Sequence, residues 1–245
     1  MPLLNDQATS LKKRINARET IIGVTVPADT SKDRLSALRD SGPYDYVWVD
    51  GQHSPLSEER LLSFCELAAE LDLPVLFRIK HTRHTYLVGN MLDLGVSGIE
   101  VPQVETEATV DEGVANFYYA PGGVRSWGGR FRLNWDPSGD HREYRRWWAK
   151  TGVLWMQMES VASVTAARQL AKSGVDCLSF GPMDLTLSLE SHPHHPFKTR
   201  DDCIQHTVEQ LRDTDTTVCY RSGTPDTRQK YLDMGVTVLL EMPPA

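Results

Sequence analysis

The sequence predicts an α/β protein with the (β/α)8 barrel fold, in which parallel strands alternate with helices. Short runs rich in β-branched residues alternate with helical patterns, which indicates parallel strands joined by crossover helices. The length of 245 residues suits one barrel, so we predict a single domain over residues 1–245. No G-x-G-x-x-G segment follows the first strand, so the main signal of an open dinucleotide-binding sheet is missing.

Eight runs predict the strands, and most are short and apolar, as a strand buried on both faces should be. They span residues 21–26, 46–49, 74–79, 98–102, 153–159, 177–180, 217–221 and 236–241. The clearest helix covers residues 57–71, where Ser57 can cap the N-terminus and an apolar stripe follows at helical spacing. Further helices are predicted over residues 85–94, 161–173, 200–213 and 225–234.

Glycines punctuate the chain where these helices end. Gly95, Gly174 and Gly235 each follow a helical pattern and precede a strand, and a glycine there can take the left-handed conformation that closes a helix. By contrast, residues 118–140 fit no regular element and are rich in Gly, Arg and Trp. We interpret them as a long functional loop or a partly ordered lid.

Composition narrows the partners of the protein. A net charge of −7 argues against nucleic acid, because phosphate binding needs a basic face, and no apolar run is long enough to span a membrane. The four cysteines form no C-x-x-C pair, so we expect free, buried thiols, which suit a reducing cytosol. Residues 1–20 lack the apolar core of a secretory signal. We therefore expect a cytoplasmic protein.

The active site of a parallel barrel lies at the carboxyl ends of its strands. The second strand ends at Asp50, and His53 follows across a glycine turn. An aspartate there can orient an imidazole and raise its basicity, as a general base requires. Alternatively, His53 caps the next helix or hydrogen-bonds locally.

The third strand ends at Arg78, whose planar guanidinium can hold a carboxylate or an enolate oxygen. Its alternative role is an internal ion pair with a carboxylate of the barrel. Lys80 lies two residues further on and has the chemistry of a Schiff-base amine, but we interpret it as a lysine in a surface loop.

Two carboxylates stand at the ends of the fifth and sixth strands, Glu159 and Asp184. Hard oxygen ligands with room for water and substrate suit Mg²⁺, Mn²⁺ or Co²⁺. Asp184 also opens a helix, whose free N–H groups can bind a carboxylate. The alternatives are an N-cap for Asp184 and a salt bridge to Arg78 for Glu159. A further cluster, His192, His194 and His195, is interpreted as a solvated loop.

Seven segments together resemble the HpcH/HpaI family of class II pyruvate aldolases. They are Tyr46-Val-Trp-Val-Asp-Gly-Gln-His53, Pro74-Val-Leu-Phe-Arg78, Met91-Leu-Asp-Leu-Gly95, Val101-Pro-Gln-Val104, Tyr119-Ala-Pro-Gly-Gly-Val-Arg125, Gln157-Met-Glu159 and Gly181-Pro-Met-Asp-Leu185. Their order and spacing match from about residue 45 to about residue 190. The resemblance implies reversible cleavage of a 4-hydroxy-2-keto acid through a pyruvate enolate, with pyruvate or oxaloacetate and an aldehyde as substrates.

The resemblance also implies roles for individual residues. Glu159 and Asp184 match the ligands of the divalent metal, and Arg78 matches the arginine that steadies the keto or enolate oxygen. His53, paired with Asp50, matches the acid and base. A metal and an arginine together can bear the charge of an enolate.

Three more matches concern substrate binding. Gln157 matches a glutamine near the metal and the substrate, and the backbone at Met183 and Asp184 matches the turn that binds the substrate carboxylate. Asp93 matches an aspartate that reaches the site of a neighbouring subunit, which implies a homo-oligomer.

Three features depart from the family pattern. Gln52 replaces the usual glutamate beside the acid–base histidine, and residues 80–84 differ from the usual Asn-Asp, so that this loop and residues 125–140 are expected to choose the acceptor. The chain stops at Ala245, just after the eighth strand, and lacks the usual final helix. These departures leave open oxaloacetate decarboxylation, a carbon–carbon bond-forming synthase of secondary metabolism, and a non-catalytic barrel.

Overall fold

The computed structural model describes residues 6–243, with side chains from Leu11 onward. Its strands are β1 (Ile21–Thr25), β2 (Tyr46–Asp50), β3 (Val75–Arg78), β4 (Gly98–Val101), β5 (Val153–Met158), β6 (Cys177–Phe180), β7 (Thr217–Gly223) and β8 (Val238–Glu241). Each strand pairs in parallel with the next, and β8 pairs with β1, so the sheet closes. The predicted (β/α)8 fold is confirmed, and all eight strands end within two residues of their predicted bounds. Residues 1–5 and 244–245 of the predicted domain lie outside the described residues.

The helices surround the strands. They are α1 (Asp6–Asn16), α2 (Lys32–Ser41), α3 (Glu58–Ala69), α4 (Val88–Leu92), α5 (Glu107–Phe117), α6 (His141–Thr151), α7 (Val161–Thr165), α8 (Ala167–Leu170), α9 (Pro182–Ser191), α10 (Arg200–Gln210) and α11 (Arg228–Asp233). Ser57 caps α3 as predicted, since its side chain accepts the backbone N–H of Arg60. Two predicted helices begin as 3₁₀ turns, Thr82–Leu87 before α4 and Pro225–Thr227 before α11.

The predicted helix endings are confirmed at three glycines. Gly95, Gly174 and Gly235 have φ of 94°, 96° and 90°, a left-handed conformation that costs other residues energy. Each glycine turns the chain from a helix back towards a strand, so these positions set the repeat of the barrel.

The interior of the barrel is apolar at its amino-terminal end. Inward-facing side chains such as Leu76, Trp155 and Val238 form one buried cluster, which Leu11 and Ile15 of α1 join. Helix α1 therefore packs against this end of the barrel, away from the strand ends where the predicted site residues lie. All four cysteines are buried and free, as predicted.

A buried ion pair fastens α1 to the barrel. Lys12 lies 2.8 Å from a carboxylate oxygen of Asp176, and its ammonium also donates to the Tyr118 hydroxyl and to the carbonyl of Gly152. Replacing Lys12 with methionine leaves the Asp176 carboxylate buried without a cation. We expect the free energy of unfolding to fall by about 3 kcal/mol in chemical denaturation. The matched control is Lys13→Met, since Lys13 is exposed; equal stability of the two variants would contradict the prediction.

Residues 118–140 contain no helix or strand, as predicted, but they lie at the amino-terminal end of the barrel. Leu133 and Asn134 border a small cavity together with Val75 and Ser97, near the beginnings of β3 and β4. The guanidinium of Arg132 fixes the loop against Trp127 and Trp135, 4.0 and 4.1 Å from their ring centroids. Residues 118–140 therefore do not cover this barrel's own site, because they leave the far end of α5, which runs antiparallel to the strands; the interpretation as a functional loop stays a prediction.

Candidate active site

The centre of the candidate site is the guanidinium of Arg78, at the end of β3. Its Nε and Nη2 donate to the two carboxylate oxygens of Asp50 at 2.9 and 2.7 Å, and its Nη1 donates to Oε1 of Gln157 at 3.2 Å. These partners lie on β2 and on β5, and Asp50 is the register partner of Arg78. A planar fork held at three points on two strands has one orientation, and it retains two further N–H groups for a ligand.

Asp50 is the ionised partner of this arginine. Burial acts to raise the pKa of Asp50, but the hydrogen bonds and charge of Arg78, with the backbone N–H groups of Gln52 and His53, hold it below its usual value. The predicted orientation of the His53 ring by Asp50 is wrong, since no hydrogen bond joins these two side chains in the described structure. Both carboxylate oxygens already accept from Arg78. The His53 side chain is exposed on the turn after β2, at the same end of the barrel.

Glu159 follows β5 and is almost fully buried. Its Oε2 accepts the backbone N–H of Gln103 at 2.9 Å. Gln103 has a left-handed φ of 50°, a costly conformation for a residue with a side chain, and this aims its N–H at the carboxylate. The salt bridge between Glu159 and Arg78 that we considered from the sequence is not formed, because Arg78 binds Asp50 instead.

Asp184 lies in the first turn of α9, exposed to solvent. It is not the N-cap of that helix; the N-cap is Gly181. Burial, and then the negative charge of Asp184, raise the pKa of Glu159 to about 7. The charge of Asp184 disfavours ionisation of Glu159, and a cation beside these carboxylates would stabilise the ionised form of Glu159.

These residues fit the predicted divalent metal as a pair of oxygen ligands. Within residues 6–243, no group of three or more His, Cys, Asp or Glu side chains is arranged to hold a metal ion. The protein would then supply Glu159 and Asp184, and water and substrate oxygens would complete the coordination of a hard cation.

The absence of a side chain at Gly181 leaves room for the Glu159 carboxylate. A Cβ at Gly181 would stand 2.2 Å from Oε1 of Glu159, so any larger residue must displace the carboxylate. We expect Gly181→Ala to weaken Mn²⁺ binding at least about tenfold, measured by titration calorimetry, because the two ligands no longer converge. Gly122→Ala is the matched control, since a Cβ there meets only ordinary contacts with Tyr118 and Tyr119. Equal Mn²⁺ affinity in both variants would contradict this role.

Gln157 has a buried hydrogen-bond donor without a partner. Its side chain is fully buried, and while Oε1 accepts from Arg78, Nε2 has no hydrogen-bond partner in the described structure. An unpaired buried amide donor costs free energy, so it indicates an oxygen of a ligand or an ordered water in this place.

The remaining predicted residues divide between the two ends of the barrel. Met183 lies beside Asp184 in the first turn of α9, where backbone N–H groups without helical partners can donate to a carboxylate. Asp93 lies at the far end, just after α4, where Arg125 donates to it at 2.8 Å. Asp93 therefore does not reach the site of its own barrel. Lys80 is exposed and borders a cavity of about 250 Å³ together with Phe77, so the interpretation as a surface-loop lysine fits its position.

Two charged groups beneath the site, Glu100 and Arg221, were not predicted from the sequence. Glu100 of β4 is completely buried and accepts hydrogen bonds from Trp48, Ser179 and Arg221. Strand alternation could have found it, because Glu100 shares the inward face of β4 with Gly98.

The model of the HpcH/HpaI aldolase/citrate lyase family matches residues 30–217. The chain belongs to this family. Membership confirms the predicted resemblance and the prediction that the protein is an enzyme of the carbon–carbon lyase class.

Within the described residues, none of the helices has the length and apolar character needed to cross a membrane.

Individual relatives agree with this assignment. A hydroxypyruvate/pyruvate aldolase of Delftia acidovorans is 34% identical over 150 residues, which is 60% of this chain and 54% of that relative. A 4-hydroxy-2-oxovalerate aldolase of Rhodococcus jostii is 26% identical over 231 residues, covering 92% of this chain and 86% of that relative. A solved HpcH/HpaI aldolase of Desulfitobacterium hafniense superposes with a TM-score of 0.81 at 23% identity, covering 95% of this chain and 89% of the other, which supports the fold.

Proposed function

We propose that this enzyme is a divalent-metal-dependent class II aldolase that cleaves and forms 4-hydroxy-2-keto acids. The observation that carries the proposal is the Arg78 guanidinium, fixed by Asp50 and Gln157 at the same end of the barrel as Glu159 and Asp184. Cationic N–H donors beside paired carboxylates are suited to an enolate whose negative charge must be stabilised while it forms.

In the cleavage direction, a base removes the proton of the 4-hydroxyl and the bond between C3 and C4 breaks. The electron pair of that bond enters the pyruvate enolate, the aldehyde departs, and C3 of the enolate then takes up a proton. Glu159 and Asp184 would hold Mg²⁺, Mn²⁺ or Co²⁺, and the cation would act as a Lewis acid that stabilises negative charge on the substrate oxygens.

The side chains of this chain perform the other tasks. The two N–H groups of Arg78 that bind neither Asp50 nor Gln157 would donate to the developing enolate oxygen, and Nε2 of Gln157 would provide another donor. The first turn of α9, at Met183 and Asp184, would receive the substrate carboxylate. His53, exposed at this end of the barrel, is assigned the acid–base role because a histidine exchanges protons near neutral pH.

The test is metal-dependent turnover of pyruvate. We expect the purified protein to exchange the methyl hydrogens of pyruvate for deuterium and to consume an added aldehyde. Both reactions should stop with EDTA and return with Mn²⁺ or Mg²⁺. Oxaloacetate decarboxylation without aldol turnover would favour the decarboxylase alternative, and no response to pyruvate, oxaloacetate or metal would overturn the proposal.

We further propose a homo-oligomer in the cytoplasm. The role that the resemblance gives Asp93 can be filled only at the site of another copy, and the loop beside it exposes three large apolar side chains, Val124, Trp127 and Phe131. Exposed apolar groups on one loop indicate a surface that a partner covers. Light scattering should give a multiple of the 27.6 kDa chain mass.

The proposed location in the cytoplasm rests on the four buried free thiols, which suit a reducing compartment.

A further inference from the structure

A second ion pair lies inside the barrel, and the proposed chemistry does not use it. Nη2 of Arg221, on β7, donates to Oε2 of Glu100, on β4, at 2.9 Å. These strands are separated by β5 and β6 in the closed sheet, so the pair crosses the interior of the barrel. Glu100 is completely buried, and the Arg221 side chain is 19% exposed.

The pair is connected to the candidate site at two points. Nε1 of Trp48 donates to Oε2 of Glu100 at 2.7 Å. The guanidinium carbons of Arg78 and Arg221 lie 5.0 and 4.7 Å from the centroid of the Trp48 ring. Nη1 of Arg221 donates at 2.9 Å to the carbonyl of Phe180, the residue before Gly181. One end of the pair therefore supports Arg78, and the other supports the turn that leads to Asp184.

Packing alone does not require charges in this layer. The interior layers below are filled by apolar side chains such as Leu76 and Trp155. A buried ion pair is commonly no more stabilising than an apolar pair of the same volume, because both charges lose their hydration. The pair lies directly beneath the candidate catalytic groups, where its charges act on the ligands that bind there, which apolar residues could not do.

We propose that Glu100 and Arg221 are positioning residues, which orient Arg78 through Trp48 and balance the charge between the metal ligands and the anionic substrate. This inference rests on the proposed function. Because Arg221 cancels Glu100, the site keeps enough negative charge for the cation without repelling the keto acid.

Removing either charge should shift the two affinities in opposite directions. Glu100→Gln leaves the cation of Arg221 uncompensated, so the dissociation constant for Mn²⁺ should rise on the order of tenfold while that for pyruvate falls. Arg221→Gln leaves Glu100 uncompensated, so Mn²⁺ should bind more tightly and pyruvate more weakly. The double variant restores neutrality, and both constants should return to within about threefold of wild type.

The experiment measures Mn²⁺ binding by electron paramagnetic resonance and pyruvate binding by calorimetry at saturating Mn²⁺, with circular dichroism as the check on folding. Ser179→Ala is the matched control, since it removes one hydrogen bond to Glu100 without changing charge. Arg221→Lys keeps the charge but cannot make both hydrogen bonds of the guanidinium, so it should shift the two affinities less than Arg221→Gln does. If Glu100→Gln does not fold, Arg221→Gln against Arg221→Lys carries the same comparison.

The outcomes separate this inference from the proposed function. Opposite shifts in the two single variants support it. Shifts in the same direction, or none, in variants of a wild type that binds Mn²⁺ would overturn the inference and leave the aldolase proposal intact. A wild type that binds no Mn²⁺ would overturn the metal site itself, and this inference with it.

Discussion

Replacing Arg78 with lysine is expected to lower kcat/KM for pyruvate turnover by about 10²–10³-fold. A lysine ammonium is a single charged centre and cannot reproduce the fork that holds both oxygens of Asp50 and the amide of Gln157. The enolate oxygen then loses donors that are aligned before the reaction begins. The measurement is metal-dependent deuterium exchange into pyruvate, followed by NMR.

The same substitution on the surface provides the control. Arg146 is exposed on α6, so Arg146→Lys should keep wild-type kinetics. If the Arg78→Lys variant exchanged the methyl hydrogens of pyruvate for deuterium within about threefold of the wild-type rate, Arg78 would have no part in stabilising the enolate.

Neutralising either proposed metal ligand is expected to remove metal-dependent turnover. Glu159→Gln and Asp184→Asn keep the size of each side chain but leave one carboxylate where a divalent cation needs two, so activity should fall by about 10³-fold or more. Mn²⁺ titration of each variant, together with the pyruvate assay, measures both consequences.

Glu190→Gln is the matched control for Asp184→Asn, because Glu190 is exposed on the same helix and carries the same charge. It should retain Mn²⁺ affinity and activity. Wild-type-like activity in Glu159→Gln or Asp184→Asn would contradict the metal assignment, even if the family membership of the chain stands.

Local pattern was enough to predict the scaffold. The eight strands could be found because a buried strand needs a short apolar run, and Gly95 and Gly235 could be recognised because few other residues adopt the left-handed turn after a helix. Helices α2 and α5 escaped prediction. Helix α2 has few apolar residues at helical spacing and is stabilised mainly by the barrel that it covers. In α5, Val110, Val114 and Phe117 do recur at helical spacing and could have indicated the helix.

The partners of each charged side chain could not be predicted in the same way. From the sequence, Asp50 was paired with His53 because the two are close in the chain, whereas the folded barrel pairs Asp50 with Arg78 on the adjacent strand. Residues 118–140 could be recognised as irregular, but only the direction of α5 shows that they lie far from the site of their own barrel.

The sequence by itself therefore determined the fold, the family and which residues stand at the strand ends, because these depend on periodicity and on local motifs. Only the tertiary structure decided that Arg78 is held by Asp50 and Gln157, that Gly181 makes room for Glu159, and that a charge pair underlies the site. The physical reason is distance along the chain. Alternation tells which face of a strand a side chain occupies, but Glu100 and Arg221 are 121 residues apart and meet only when the barrel closes.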